Sequence, residues 1–207
     1  MAIRLDKLAI PFSVESAADY ESDDSNTPVP AALECERVMT SRFGEIEVDQ
    51  DLIITLPEGV IGFEHCTRYV VLHQDPQSAF RWLQSLDDPA AAFPIMEPGL
   101  FRPDYAPTLS DADARFLALT HTIPILVFSI ITVPTQDPQL MTANLLAPIV
   151  INGETRQGKQ VIAQDDGLTT RHRLVEELER KERLALSATA VTISLPRSHS
   201  KKMARVA

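Results

Sequence analysis

The segment PILVFSIITVP, Pro124–Pro134, constrains the fold more than any other part of the chain. Nine residues lie between two prolines, and only Ser129 and Thr132 interrupt the apolar run. Proline closes off a helix at either end, and β-branched side chains favour extended backbone. Apolar residues at consecutive positions imply that both faces are covered. The segment is also far shorter than the ~20 apolar residues that span a bilayer. It reads as a buried central strand.

The rest of the chain agrees. Fifteen prolines against seven glycines argue against long helices and for short strands joined by turns. Alternating or β-branched stretches occur at Arg42–Val48, Leu52–Leu56, Arg68–His73 and Phe80–Leu86, with Pro57–Glu64 and Asp87–Pro89 as turns. Leu140–Leu146, Ala147–Asn152 and Lys159–Ala163 read as three more short strands. Ser110 with Asp113 has the spacing of a helix cap, and the helix that follows would lay Phe116, Leu117 and Leu119 on the core. Near the end, Arg173–Ser187 is helical, with Glu176/Arg180, Glu177/Lys181 and Glu179/Arg183 spaced i,i+4. TAVTISL, Thr189–Leu195, follows as a possible strand. The fold class is therefore mainly β, with short helices and a C-terminal helical extension. Three regions are expected: an acidic, disordered leader over 1–39, a β domain over 40–170, and a helix with a basic tail over 171–207.

Several function classes are disfavoured. Residues 1–170 hold 25 acids and 10 bases, −15, whereas residues 171–207 carry +5. An acidic body repels phosphate backbones and suits a basic partner, so no direct nucleic-acid binding is expected. Cys35 and Cys66 build neither a disulfide framework nor a zinc knuckle, and free thiols fit a reducing cytoplasm. The N-terminal residues lack a signal-peptide core, and no run is long enough for a membrane span. Gly153-x4-Gly158-Lys159 imitates a phosphate-binding loop, but Gln160 stands where a hydroxyl is needed and a strand-like QVIA follows; a hairpin turn explains it better. His65 and Cys66, adjacent in extended chain, would point to opposite faces, so no metal site is expected. Asp87 and Asp88 belong to a turn formula rather than to a catalytic pair. No nucleophile–base set is assembled, so neither an enzyme nor a cofactor site is expected.

Longer blocks are specific in wording. FGEIEV at Phe43–Val48, ITLPEGVIGFE at Ile54–Glu64, FRWLQSLDDPAAAFPIMEP at Phe80–Pro98 and MTANLLAPIVIN at Met141–Asn152 resemble the flagellar assembly factor FliW family. PDY at Pro103–Tyr105, ITVP at Ile131–Pro134, GKQVI at Gly158–Ile162 and TTRH at Thr169–His172 continue the resemblance, from Thr40 to about Leu174. The resemblance implies a small barrel-like β fold, antiparallel or mixed. It implies two partners: flagellin, and CsrA, the carbon storage regulator that represses flagellin translation. Binding of CsrA would relieve the repression, and flagellin would compete. A flagellin-specific chaperone without a role at CsrA is the alternative. With that partner class, irregular chain inside the matched blocks becomes the candidate surface: Asp87, Asp88, Glu97 and Asp104 as charges, Phe101 and Tyr105 as aromatic anchors. The same aromatics, set among the prolines of Phe93–Pro107, could instead complete the core.

Overall fold

The computed structural model describes residues 3–4, 35–75 and 77–193. In chain order its strands are β1 (Ile3–Arg4), β2 (Cys35–Thr40), β3 (Gly44–Asp49), β4 (Ile54–Thr55), β5 (Arg68–Leu72), β6 (Arg81–Ser85) and β7 (Ala92–Met96). Then come β8 (Thr108–Leu109), helix α1 (Asp111–Phe116), β9 (Ile125–Thr132), β10 (Thr142–Ala143), β11 (Ile149–Asn152), β12 (Gly158–Gln160), β13 (His172–Arg173) and helix α2 (Leu174–Ile193).

The proline-bounded run is the centre of the sheet. One edge of β9 pairs with β7, and the other serves β11 along Ile125–Phe128 and then β10 along Ile131–Thr132. Its side chains alternate between two cores, as a strand covered on both faces must. Val127 and Ile131 enter one, with Met96, Phe101, Tyr105, Leu117 and Leu145. Phe128 enters the other, with Leu56, Tyr69, Leu83, Ile95 and Ile149. The main path is β12-β11-β9-β7-β6-β5-β4, antiparallel throughout. Its two ends meet at one parallel bridge, Thr55 to Gln157, where the Thr55 amide donates to the Arg156 carbonyl at 3.0 Å. The sheet thus curls to a barrel-like form without a closing ladder.

The β2–β3 hairpin lies outside this path. Gly44, at φ +71°, makes the turn, and the Thr40 hydroxyl holds it by accepting from the Phe43 amide and donating to the Gly44 carbonyl. Val38 and Val48 pack with Val70 and Leu86, seating the hairpin on β5 and its neighbour. The hairpin starts at Cys35, five residues before the expected start of the β domain at Thr40. The expected disorder of the leader falls mostly on residues 5–34, outside the described residues; Ile3 and Arg4 pair with Leu109 and Thr108.

Local chemistry explains the other elements. The Ser110 hydroxyl accepts from the Asp113 amide at 3.1 Å, capping α1, and Leu117 and Leu119 are buried as expected. The phosphate-loop mimic is the hairpin β11–β12; the Asn152 side chain accepts from the Glu154 and Thr155 amides and stabilises the turn. Lys159 is held by Glu58 and Asp113, each at 3.0 Å. Two expectations are corrected. Residues 140–146 are not one strand: Asp137 caps a single 3-10 turn at Pro138–Leu140, and only Thr142–Ala143 pairs. TAVTISL does not form a strand as far as Ile193, because α2 continues through it and satisfies its backbone within the helix. Of the three i,i+4 pairs expected in α2, Glu179–Arg183 forms, at 3.8 Å. The charges of Glu177, Arg180 and Lys181 instead hold the helix to the proline-rich segment.

Candidate protein-binding surface

The Asp87–Asp88–Pro89 turn joins β6 to β7 and is tightly built. The buried Ser85 hydroxyl accepts from both the Asp87 and Asp88 amides at 3.1 Å. Asp87 reaches across to the start of β5, accepting from the Thr67 amide at 2.6 Å and the Arg68 amide at 2.9 Å. Partial burial alone would push the Asp87 carboxyl up, but these amides, the Thr67 hydroxyl and the Arg68 charge outweigh it, and the net displacement is downward. Asp87 is thus an exposed negative charge that also braces two loops. Asp88 caps the turn by accepting from the Ala90 amide at 2.9 Å, and its second oxygen lies 3.9 Å from His65 Nε2.

The other candidates do not join this turn. Glu97 follows the far end of the five-residue β7, roughly 17 Å from the turn at ~3.3 Å per residue. It pairs with Arg81 at 2.8 Å. Asp104 is exposed but already partnered: the Arg180 guanidinium donates to it at 2.6 Å and holds its carboxyl below the ordinary range. Beside it, Arg102 and His172 share one oxygen of the buried Glu177, at 3.0 and 3.1 Å, and Lys181 donates to the Leu100 carbonyl at 2.7 Å. The extension α2 is thereby tied to residues 100–104.

Phe101 and Tyr105 require a correction. They are 1% and 5% exposed, and both sit in the core shared with Val127 and Ile131. The Tyr105 hydroxyl donates to the Leu145 carbonyl at 2.6 Å. Rings so enclosed complete the core and cannot anchor a partner in this conformation. The prolines around them supply the reason: an irregular chain can turn aromatics inward without the period of a strand.

Two features escaped the sequence reading. An open, largely apolar groove of about 870 Å³ runs along β6, β7 and β9, lined by Phe80, Trp82, Phe93, Pro94 and Val133. Arg42, from the β2–β3 turn, stacks 4.0 Å above the Trp82 ring and walls one side. Its residues come from five separate stretches of chain, so no local pattern marks it. The second concerns His65 and Cys66. They lie at a turn rather than in a strand, and one ligand atom each from His65, Cys66 and Asp88 lies within 4.8 Å of the others. Among the described residues no helix is long and apolar enough to cross a membrane.

Comparison with known proteins matches this architecture to one family. The FliW protein family model matches residues 37–174. The flagellar assembly factor FliW of Bdellovibrio bacteriovorus is 42% identical over 144 residues, which cover 70% of this chain and 82% of the relative. That of Leptospira biflexa is 37% identical over 142 residues, covering 69% and 93%. A crystal structure of the flagellar assembly factor FliW superposes with a TM-score of 0.62 at 34% identity, over 67% of this chain and 96% of the other. The matched span begins in the β2–β3 hairpin and ends where α2 starts, so it takes in the whole sheet, the Asp-Asp-Pro turn and the groove. The chain belongs to the FliW family of flagellar assembly factors.

Proposed function

We propose that this chain acts in the cytoplasm as a non-enzymatic regulator of flagellar assembly. It binds the translational repressor CsrA and flagellin, and its capture of CsrA frees flagellin synthesis. The observation that carries this reading is the family membership, with matching blocks across the entire sheet. The charge supports it: −15 over residues 1–170 suits an RNA-binding partner, whose surface is basic. The contact surface centres on Asp87 and Asp88, which a braced turn holds in place before any partner arrives. Glu97 and Asp104, each paired with an arginine, lie outside this centre. Pre-ordered charge lowers the entropy lost on docking and speeds encounter.

Gel filtration of the purified chain mixed with CsrA tests this reading. Co-elution, followed by release of CsrA when flagellin is added, is the expected result. Co-elution with flagellin but not with CsrA would select a flagellin chaperone instead.

A further inference from the structure

Two loops meet at the edge of the second core and bring three kinds of metal ligand together. The first is the turn before β5. The Phe63 amide donates to the Val60 carbonyl at 2.6 Å and the Cys66 amide to the Phe63 carbonyl at 3.0 Å. Gly59 permits the turn: its φ is +69°, and a Cβ there would lie 2.5 Å from the Phe63 carbonyl oxygen. The turn sends the Cys66 side chain inward, 0% exposed, and leaves the His65 side chain 68% exposed. The second loop is the Asp-Asp-Pro turn, which Asp87 fastens to Thr67 and Arg68, directly beside Cys66. It presents the half-buried Asp88 carboxylate 3.9 Å from His65 Nε2.

A separate observation points to the same place. Tyr69 is 0% exposed, and its hydroxyl is buried with no hydrogen-bond partner. The Cys66 sulfur lies beside that hydroxyl. An orphaned donor is costly in a core, and here it stands where it can donate to a sulfur that an ion holds.

We propose that His65, Cys66 and Asp88 bind a divalent transition-metal ion, zinc foremost, with a solvent water as fourth ligand. Sulfur, imidazole nitrogen and one carboxylate oxygen form a borderline-soft set; magnesium and calcium prefer oxygen alone. A tetrahedral ion about 2.0–2.3 Å from each donor holds the donors roughly 3.3–3.6 Å apart. The ligand atoms here lie within 4.8 Å, so the set must close by about 1 Å. Rotation of the exposed His65 and of Asp88 supplies that movement, while Cys66 stays fixed in the core. On binding, the Cys66 S–H proton leaves to solvent and the sulfur lone pair bonds the ion. One thiolate and one carboxylate then balance the two positive charges. The ion ties the turn before β5 to the Asp-Asp-Pro turn.

The test uses the full chain, reduced and stripped of metal with a chelator that is then removed. Cobalt(II) is titrated in, followed by zinc. Expected is a near-ultraviolet sulfur-to-cobalt charge-transfer band that saturates at about one equivalent and disappears when zinc displaces the cobalt. Cys66→Ser abolishes the band. Cys35→Ser, at the exposed thiol on β2, leaves it intact. His65→Ala removes an exposed side chain without disturbing the core, and weakens cobalt binding at least tenfold; Asp88→Ala does the same. Absence of the band from the folded wild type would overturn the proposal. So would a band that survives Cys66→Ser, or undiminished affinity in folded His65→Ala.

Discussion

Tyr105 shows how one residue's surroundings decide its meaning. In the sequence it stands in a proline-rich segment with no period, where an aromatic serves a core or a partner equally well. The residues that enclose it, such as Val127, Leu145 and Val161, come from far along the chain, so no local window contains the answer. The structure makes a sharp expectation possible. Tyr105→Phe keeps the ring but leaves the buried Leu145 carbonyl without its donor, and should cost about 1–2 kcal/mol of stability in urea unfolding. Tyr105→Ala should cost about 3–5 kcal/mol through the cavity it leaves. Neither should change the affinity of the folded fraction for CsrA, because the ring does not reach the surface. Asp87 is the converse case. Its turn was legible from Asp-Asp-Pro, but its bonds to Thr67 and Arg68 span 20 and 19 residues and were not.

Among the elements, those whose cause is local were legible. The Ser110 cap, the β11–β12 hairpin and the proline-bounded β9 each carry their signal within a dozen residues. The short pairing at Thr142–Ala143 depends on the length of β9 beside it, and the docking of α2 depends on residues 100–104; neither has a local signature. Helix α1 yields a pH prediction. Burial raises the Asp113 carboxyl, but the Ser110 hydroxyl and the Lys159 ammonium lower it further, so its pKa in the folded chain is below the ordinary value of 3.8. A depressed carboxyl contributes stability that is fully present above the unfolded value and is lost as pH falls through the folded one. Stability measured between neutral pH and about pH 3 should therefore fall less steeply in Asp113→Asn than in the wild type. For α2, Arg180→Glu sets like charges against each other at Asp104. Exposed pairs of this kind contribute about 0.2–1 kcal/mol, so global stability should change little. Amide hydrogen exchange within α2 should nevertheless accelerate, because the helix loses a tie to the domain.

For the whole molecule, the mainly β class followed from proline spacing and the central run, whereas the barrel-like curl rests on a single bridge between Thr55 and Gln157 that no pattern announces. The division of charge between an acidic body and a basic end was legible by counting, and it shapes the expected mode of binding. Rim acids should govern association rate and salt dependence rather than dissociation. Asp88 is the better probe of this, since replacing Asp87 would also release the brace to Thr67 and Arg68. The most direct test is surface plasmon resonance of the full chain against CsrA and flagellin from the same bacterium, in chelator-containing buffer at low and high salt. The account predicts that the wild type binds both, that folded Asp88→Lys associates more slowly with CsrA, and that the difference shrinks as salt screens it. A folded wild-type chain that binds neither protein at either salt would contradict it.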